Sequence, residues 1–109
     1  MIVLFLPEVQ EYYNHLEQIL YENGYFSFSD SSKKYVKELI EDIKLNLPTK
    51  RHKPAPNYFE KYGRDMQYAV FKKNKHTSWY IFFTVYRKNG EEIYLIRYIA
   101  TNHTAVQRS

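Results

Sequence analysis

The chain has 109 residues, of which 44% are hydrophobic and 18% aromatic, so it is long enough for one folded domain and too apolar for a disordered chain. The absence of cysteine excludes disulfides, thiolate metal sites and a cysteine nucleophile. The apolar residues 1–6 are too few for a signal peptide, and no stretch approaches the ~20 apolar residues that cross a bilayer. We therefore expect one domain over residues 1–109, located in the cytoplasm and not in a membrane.

The charge is divided unevenly along the chain. Residues 1–47 contain four Lys or Arg and eight Asp or Glu, a net charge of −4, whereas residues 48–109 contain twelve and four, a net charge of +8. An asymmetry of this size predicts that one end of the fold faces an anionic partner. The alternative is that these charges only keep a small domain in solution.

The chain begins with a predicted strand and helix. Residues 2–6 are continuously apolar, which is typical of a short buried strand, and Pro7 ends the strand and can begin a helix. A helical repeat of apolar residues then runs to Asn23-Gly24, where Gly24 is expected as the left-handed cap. The apolar face of this helix consists of Val9, Tyr12, Tyr13, Leu16, Ile19 and Leu20.

A second helix is predicted before Pro48. Ser29 and Ser31 are its candidate N-caps, and Pro48 stops it. Together the two predicted helices form an αα-hairpin whose apolar faces must be buried against the strands. The apolar face of the second helix consists of Tyr35, Val36, Leu39, Ile40, Ile43 and Leu47.

The second half predicts a long connection and three antiparallel strands. Connections as long as residues 48–65 are usually functional or partly structured in compact domains. Asn89-Gly90 is a strong hairpin signal between the last two strands. The predicted fold is α+β, with an N-terminal strand and an αα-hairpin packed on a C-terminal three-stranded antiparallel meander. The meander strands are residues 66–72, 77–86 and 91–100.

A two-residue turn at Asn89-Gly90 sets the expected pairing of the last two strands, with Phe82 opposite Arg97. Alternation then divides the side chains between two faces, and a bulge would alter this division. We assign to the helices the more apolar face, which carries Trp79, Ile81, Phe83, Val85, Tyr94, Ile96 and Tyr98. The other, named here the helix-free face, carries Tyr80, Phe82, Thr84, Tyr86, Lys88, Ile93, Leu95, Arg97 and Ile99. On this register Arg97 points to the helix-free face and Tyr98 points away from it.

The predicted helix-free face suits single-stranded RNA, because bases stack on flat side chains while cations hold phosphates. The alternative is that the tyrosines only cover a pleated surface and the lysines guard exposed strands. The predicted phosphate-binding and RNA-binding residues are Lys72, Lys73, Lys75, Arg87, Tyr80 and Tyr86.

The stretch from Tyr68 to Gln107 carries a family resemblance. It reads YAVFKKNKHTSWYIFFTVY before the last turn and IYLIRYIATNHTAVQ after it. These segments resemble the RelE/ParE superfamily of bacterial toxins from type II toxin–antitoxin systems, and are most similar to its members in Bacteroides-type bacteria. Those members end in a similar arginine strand followed by Asn-His. The predicted order of strand, two helices and meander matches that family across nearly the whole chain.

The resemblance to the RelE branch implies a metal-independent, ribosome-dependent mRNA endonuclease that needs no cofactor and is neutralised by a cognate antitoxin. Arg97 matches the family's late-strand arginine and would be the transition-state cation, and His103 matches the acid/base position just beyond that strand. The chain departs from the family at two places. A tyrosine often stands where His103 is found, and Thr77-Ser78-Trp79 occupies the region where the middle strand usually has another arginine.

Two other functions remain open. A ParE-like toxin binds DNA gyrase and needs no catalytic residues, and a non-catalytic module would only bind nucleic acid or protein. In each toxin hypothesis the antitoxin covers the basic surface with acidic groups, and its binding should weaken with salt.

Overall fold

The computed structural model describes residues 1–22 and 29–102, which form a sheet with two helices packed on one face. This arrangement confirms the α+β class. Gly24 and His103 lie outside the described residues. No described helix is long and apolar enough to cross a membrane. The elements are β1 (Ile2–Phe5), α1 (Pro7–Glu22), α2 (Ser29–Asn46), a 3₁₀ turn (Leu47–Thr49), β2 (Lys53–Pro54), a 3₁₀ segment (Asn57–Tyr62), β3 (Gln67–Asn74), β4 (Thr77–Lys88) and β5 (Glu91–Thr101).

The sheet has five strands in the order β1-β5-β4-β3-β2, which is larger than the three-stranded sheet expected from sequence. The three long strands β3, β4 and β5 are antiparallel neighbours. At one edge β1 pairs in parallel with β5, up to Phe5 opposite Ile96. At the other edge the two residues of β2, which come from the long connection, pair antiparallel with β3.

The core lies between the helices and the sheet face that the sequence assigned to them. Ile19 departs from the predicted face of α1, since it is 40% exposed. The predicted stripe of the second helix is buried or half-buried along its length, although its last residue, Leu47, lies in the 3₁₀ turn that follows α2. Ser31 lies within the helix and not at its N-cap. The main buried residues are Val9, Leu16 and Leu20 of α1, Val36, Leu39, Ile40 and Ile43 of α2, and Trp79, Ile81, Phe83, Tyr94 and Ile96 of the sheet.

A hydrogen bond inside this core ties α2 to β4. The indole Nε1–H of the fully buried Trp79 donates to the hydroxyl of Tyr35 at 2.8 Å. Burial raises the pKa of Tyr35, although the bond from Trp79 acts in the opposite direction. The hydroxyl therefore stays protonated at neutral pH, and the buried indole donor has an acceptor.

A β-bulge in β5 interrupts the predicted register. From the Asn89-Gly90 turn to the pair Phe83–Ile96, every pairing is the expected one. The next pair is Phe82–Tyr98, so Arg97 is an extra residue in β5. The predicted pairing of Phe82 with Arg97 is therefore wrong.

The bulge exchanges the faces of the residues that follow it. Tyr98 shares the helix-free face with its partner Phe82, whereas Ile99, expected on that face, is buried in the core opposite Ile81. The prediction that Arg97 and Tyr98 point to opposite faces is also wrong. Both lie on the helix-free face, because the extra residue shifts the alternation by one position.

The long connection covers part of the helix-free face. Phe59 of the 3₁₀ segment stacks on Phe82, and Tyr62 stacks on Tyr98, each with 4.3 Å between ring centroids. Phe82 is consequently only 4% exposed. The expectation that this connection is partly structured is confirmed, but the face it covers is less accessible than the sequence suggested.

Tyr35→Phe should lower the free energy of unfolding by about 1–3 kcal/mol, because it leaves the buried indole N–H of Trp79 without its acceptor. Urea denaturation followed by tryptophan fluorescence measures this directly, since Trp79 is the only tryptophan. Tyr21→Phe, at an exposed position on α1, is the matched control and should stay within about 0.5 kcal/mol of the wild type. Equal stability of the two variants would contradict the expectation.

Candidate nucleic-acid interface

Arg97 has a defined orientation on the helix-free face. Its Nε–H donates to Thr84 Oγ1 at 2.8 Å, and an Nη2–H donates to the Tyr86 hydroxyl at 2.5 Å. Thr84 and Tyr86 are alternate residues of β4, so both project from the same face. Arg97 is half-buried and Tyr86 is exposed, so the pair is accessible from solvent.

Gly63 provides the space for the Arg97 side chain. A Cβ at position 63 would lie 2.7 Å from Arg97 Cδ and 3.0 Å from Nε. Gly63 directly follows the 3₁₀ segment, and its N–H donates to the Glu60 carbonyl at 3.0 Å. The connection therefore covers one part of the face and leaves room for the arginine at another.

A cleft of about 370 Å³ opens beside Arg97, at the point where β1 gives way to α1. This space, named here the Arg97 cleft, lies within the size range of small-molecule pockets, about 300–1,000 Å³. It brings a carboxylate, a guanidinium and several phenol rings around one space. Its lining consists of Glu8, Val9 and Tyr12 of α1, Tyr62 of the 3₁₀ segment, and Arg97, Tyr98 and Ile99 of β5.

A second cleft, of about 200 Å³, lies against β3 and β4. We name it the aromatic cleft, since four of its six lining residues are rings of phenylalanine or tyrosine. Phe59 belongs to it as well as to the stack on Phe82, so the 3₁₀ segment forms one of its walls. The lining consists of Pro56, Phe59, Tyr68, Tyr80, Phe82 and Ala100.

The predicted cations do not form one cluster. Lys72 is exposed on the helix-free face, opposite Ser78, and Lys75 is exposed in the β3–β4 turn. Lys73 instead faces the helices, where its Nζ lies 3.2 Å from Asp42 Oδ2 on α2. Its predicted role in phosphate binding is therefore not supported.

Arg87 is also directed away from the predicted site. It is adjacent to Tyr86 in β4, so strand alternation places it on the opposite face. Its Nη2 lies 3.4 Å from a carboxylate oxygen of Glu92, and Arg87 is well exposed whereas Glu92 is partly exposed. Of the predicted tyrosines, Tyr80 lines the aromatic cleft and Tyr86 contacts Arg97.

Arg97 and Lys72 lie toward different ends of the helix-free face. Thr84, which bonds Arg97, is six residues along β4 from Ser78, which lies opposite Lys72. At the rise of a β-strand this separation is about 20 Å. The two cations would therefore contact different parts of a bound nucleic acid.

Asn102, which directly follows β5, is attached to the β3–β4 turn and to the start of β4. The Asn102 Oδ1 accepts a hydrogen bond from the Ser78 N–H at 3.0 Å, and its Nδ2 donates to the His76 carbonyl at 3.0 Å. Thr101 is four residues from Arg97 on the same strand, about 13 Å away. The described part of β5 thus leads away from Arg97, and His103 lies outside the described residues.

Several residues of the two clefts were missed by sequence analysis. The sequence indicated no role for Glu8 at a site. Phe59 and Tyr62 lie in the predicted connection, where no helical or strand pattern marks a binding surface. Tyr68 lies on a predicted strand whose faces were not assigned. Tyr98 was assigned to the core. The only sequence signal was the density of aromatic residues in a connection of unusual length.

We compared the chain with models of protein families, with curated proteins and with solved structures, and none of these comparisons found a match. The resemblance to RelE/ParE toxins therefore depends on the sequence segments quoted above and on the order of the elements.

Gly63→Ala should displace the Arg97 side chain, because a methyl group cannot occupy the 2.7 Å left beside Cδ. We expect the hydrogen bonds to Thr84 and Tyr86 to be broken or lengthened. The Nε–H signal of Arg97 in a proton–nitrogen NMR spectrum should be protected from exchange in the wild type and broadened or lost in the variant. An unchanged signal would show that the side chain does not depend on Gly63.

Lys73→Gln tests the structural role of that lysine. Burial alone would raise the pKa of Asp42, but hydrogen bonds from Asn46 and Lys73 and the charges of Lys73 and Lys50 hold this pKa below its ordinary value. A lowered folded pKa means that the carboxylate contributes stability above its unfolded pKa of about 3.8, and that this contribution is lost as pH falls through the folded value.

Removal of the Lys73 ammonium should therefore lower stability at pH 7 by up to about 1 kcal/mol, with the difference from the wild type disappearing in acid. Urea denaturation at pH 7 and in acid measures both effects. Lys72→Gln is the matched control, since Lys72 is exposed on the other face. A stability difference that persists unchanged in acid would contradict this explanation.

Proposed function

We propose that this chain is a RelE/ParE-like toxin of a type II toxin–antitoxin system that binds RNA on its helix-free face and cleaves mRNA on the ribosome. The observation that carries the proposal is the solvent-accessible pair of Arg97 and Tyr86. Further support comes from the order of strand, two helices and three antiparallel neighbours, the order that the resemblance implies. The protein would act in the cytoplasm and be neutralised by a cognate antitoxin.

Arg97 is the proposed transition-state cation. Attack of a ribose 2′-hydroxyl on the adjacent phosphate produces a pentacoordinate phosphorane whose negative charge a nearby cation stabilises. Hydrogen bonds to Thr84 and Tyr86 orient the guanidinium before substrate binds. These two bonds use only some of the five N–H groups of the guanidinium, so the other N–H groups can donate to phosphate oxygens.

Three residues are candidates for the accompanying proton transfers. The Tyr86 hydroxyl contacts Arg97 directly and could protonate the leaving 5′-oxygen. The family resemblance gives this role to His103, and histidine is the residue type that exchanges protons most readily near neutral pH. The carboxylate of Glu8 lines the Arg97 cleft and is the candidate to accept the proton of the 2′-hydroxyl.

The ParE-like alternative is favoured by a different observation. On edge strand β1, Ile2 is 38% and Leu4 48% exposed. Exposed apolar residues on an edge strand are typical of a protein contact. Such a surface would serve a toxin that binds gyrase, or a binding module, without any need for Arg97 chemistry.

Induced expression in a bacterial host distinguishes these functions. The nuclease should arrest growth, with mRNA cut within translated regions. Arg97→Lys keeps the charge but loses the planar fork, and Tyr86→Phe removes only the hydroxyl. Loss of an essential cation contact or proton donor should reduce cleavage by about 10²–10⁴-fold. His103→Ala tests the second proton donor, and Arg87→Gln is the control for a surface arginine on the other face.

Cleavage of a defined mRNA on purified ribosomes should be reduced in the same variants, and Arg87→Gln should cleave as the wild type does. Growth arrest with DNA breaks and no mRNA cleavage, retained in the Arg97 and His103 variants, would support gyrase binding. Growth without arrest would overturn the toxin proposal and leave a binding module.

A further inference from the structure

The aromatic cleft has walls made of flat rings. Tyr68 and Tyr80 are half-buried and neighbour each other across β3 and β4, with 6.2 Å between ring centroids. Phe59 projects from the 3₁₀ segment and stacks on Phe82, and the ring of Phe82 forms the bottom of the cleft. Apart from the tyrosine hydroxyls, the side chains of the lining offer carbon surfaces. Such a space favours a planar, aromatic ligand over an extended polar one.

The size of the cleft limits the ligand to one ring system. Its volume of about 200 Å³ lies below the range of about 300–1,000 Å³ that is typical of pockets for drug-sized molecules. A whole nucleotide cofactor would therefore project beyond it. One nucleobase, attached to a backbone that stays outside, matches the available space.

Two exposed lysines flank the cleft on the same face. Lys53 of β2 lies opposite Tyr68, and Lys72 of β3 lies two residues beyond Val70, which is opposite Tyr80. Alternation therefore places both lysines on the helix-free face beside the rings. Ammonium groups at the border of an aromatic cleft complement a base whose phosphates lie on either side.

We propose that the aromatic cleft binds one nucleobase of single-stranded RNA, with Lys53 and Lys72 against the phosphates next to it. This inference rests on the proposed RNA-directed function but concerns a subsite separate from Arg97. Tyr80 in the cleft and Thr84 at Arg97 are four residues apart on β4, about 13 Å. The base in the cleft therefore belongs to a different nucleotide from the phosphate at Arg97, and the cleft sets which phosphate reaches the arginine.

The cleft should bind bases with little regard to sequence. Its walls contact the faces of a base, which every base has, and supply few groups that could read its edges. Purines should bind more tightly than pyrimidines because they stack over a larger area. A preference of this kind differs from recognition of one base by hydrogen bonds.

The test uses the full chain and a hexauridylate RNA in which one residue is 2-aminopurine, whose fluorescence is quenched when it stacks. Binding to the wild type should quench the signal. Tyr80→Leu and Tyr68→Leu keep an apolar side chain but remove the ring, and should abolish the quenching and weaken binding at least about fivefold. Tyr21→Leu, on α1, should change neither. Thermal unfolding confirms that each variant is folded.

Two further measurements leave Tyr68 and Tyr80 unchanged and alter the RNA or a lysine instead. Replacing the 2-aminopurine by an abasic residue should weaken binding to the wild type at least about fivefold. Lys53→Gln and Lys72→Gln should each reduce the slope of log affinity against log salt by about 0.7, the value for one phosphate contact to a single strand. Lys34→Gln, exposed on α2, should leave that slope unchanged.

The outcomes separate this inference from the proposed function. RNA binding by the wild type without quenching, or with quenching that both ring variants retain, would overturn the base site and leave RNA binding intact. Equal affinity for the abasic oligonucleotide would do the same. No measurable RNA binding by the wild type, even at low salt, would overturn both.

Discussion

The one-residue bulge at Arg97 is the constraint on which the rest of this surface depends. Without it, Tyr98 would point into the core and Ile99 to the outside, and the core opposite Ile81 would lose an aliphatic side chain. With it, β5 presents Arg97 and Tyr98 in succession on one face. Bulges re-aim side chains at the expense of a regular ladder, which is why they are frequent near functional sites.

The long connection and the bulge together shape the helix-free face. Tyr98 provides a ring on the helix-free face, and Tyr62 stacks on it, while Phe59 stacks on Phe82. The 3₁₀ segment thereby becomes a wall of both clefts, and Gly63 at its end leaves the space that the Arg97 side chain fills. An irregular segment is positioned by ring stacking on the sheet, and in turn shapes the surface that a ligand would meet.

Among the described residues, Lys72, Lys73, Arg87 and Arg97 do not form a single basic patch. Lys73 is used to join β3 to α2 through Asp42, and alternation directs Arg87 to the face opposite Tyr86. Lys72 and Arg97 share a face but are separated along it by about 20 Å. A bound polyanion would therefore contact several isolated cations, with aromatic surfaces between them. This distribution fits an extended single strand better than a compact anionic ligand.

The sequence alone determined β1, the two helices, the three long strands, the α+β class, the core face of β4 and the Asn89-Gly90 turn. These features depend on local periodicity and on residues with restricted backbone conformations. It also singled out Arg97 and Tyr86. Only the tertiary structure decided the faces of Tyr98 and Ile99, the neighbours of β1 and β2, and the partner of Lys73. The register after a bulge depends on packing over the whole fold, and so do contacts between segments that are distant in sequence. A local sequence pattern does not contain this information.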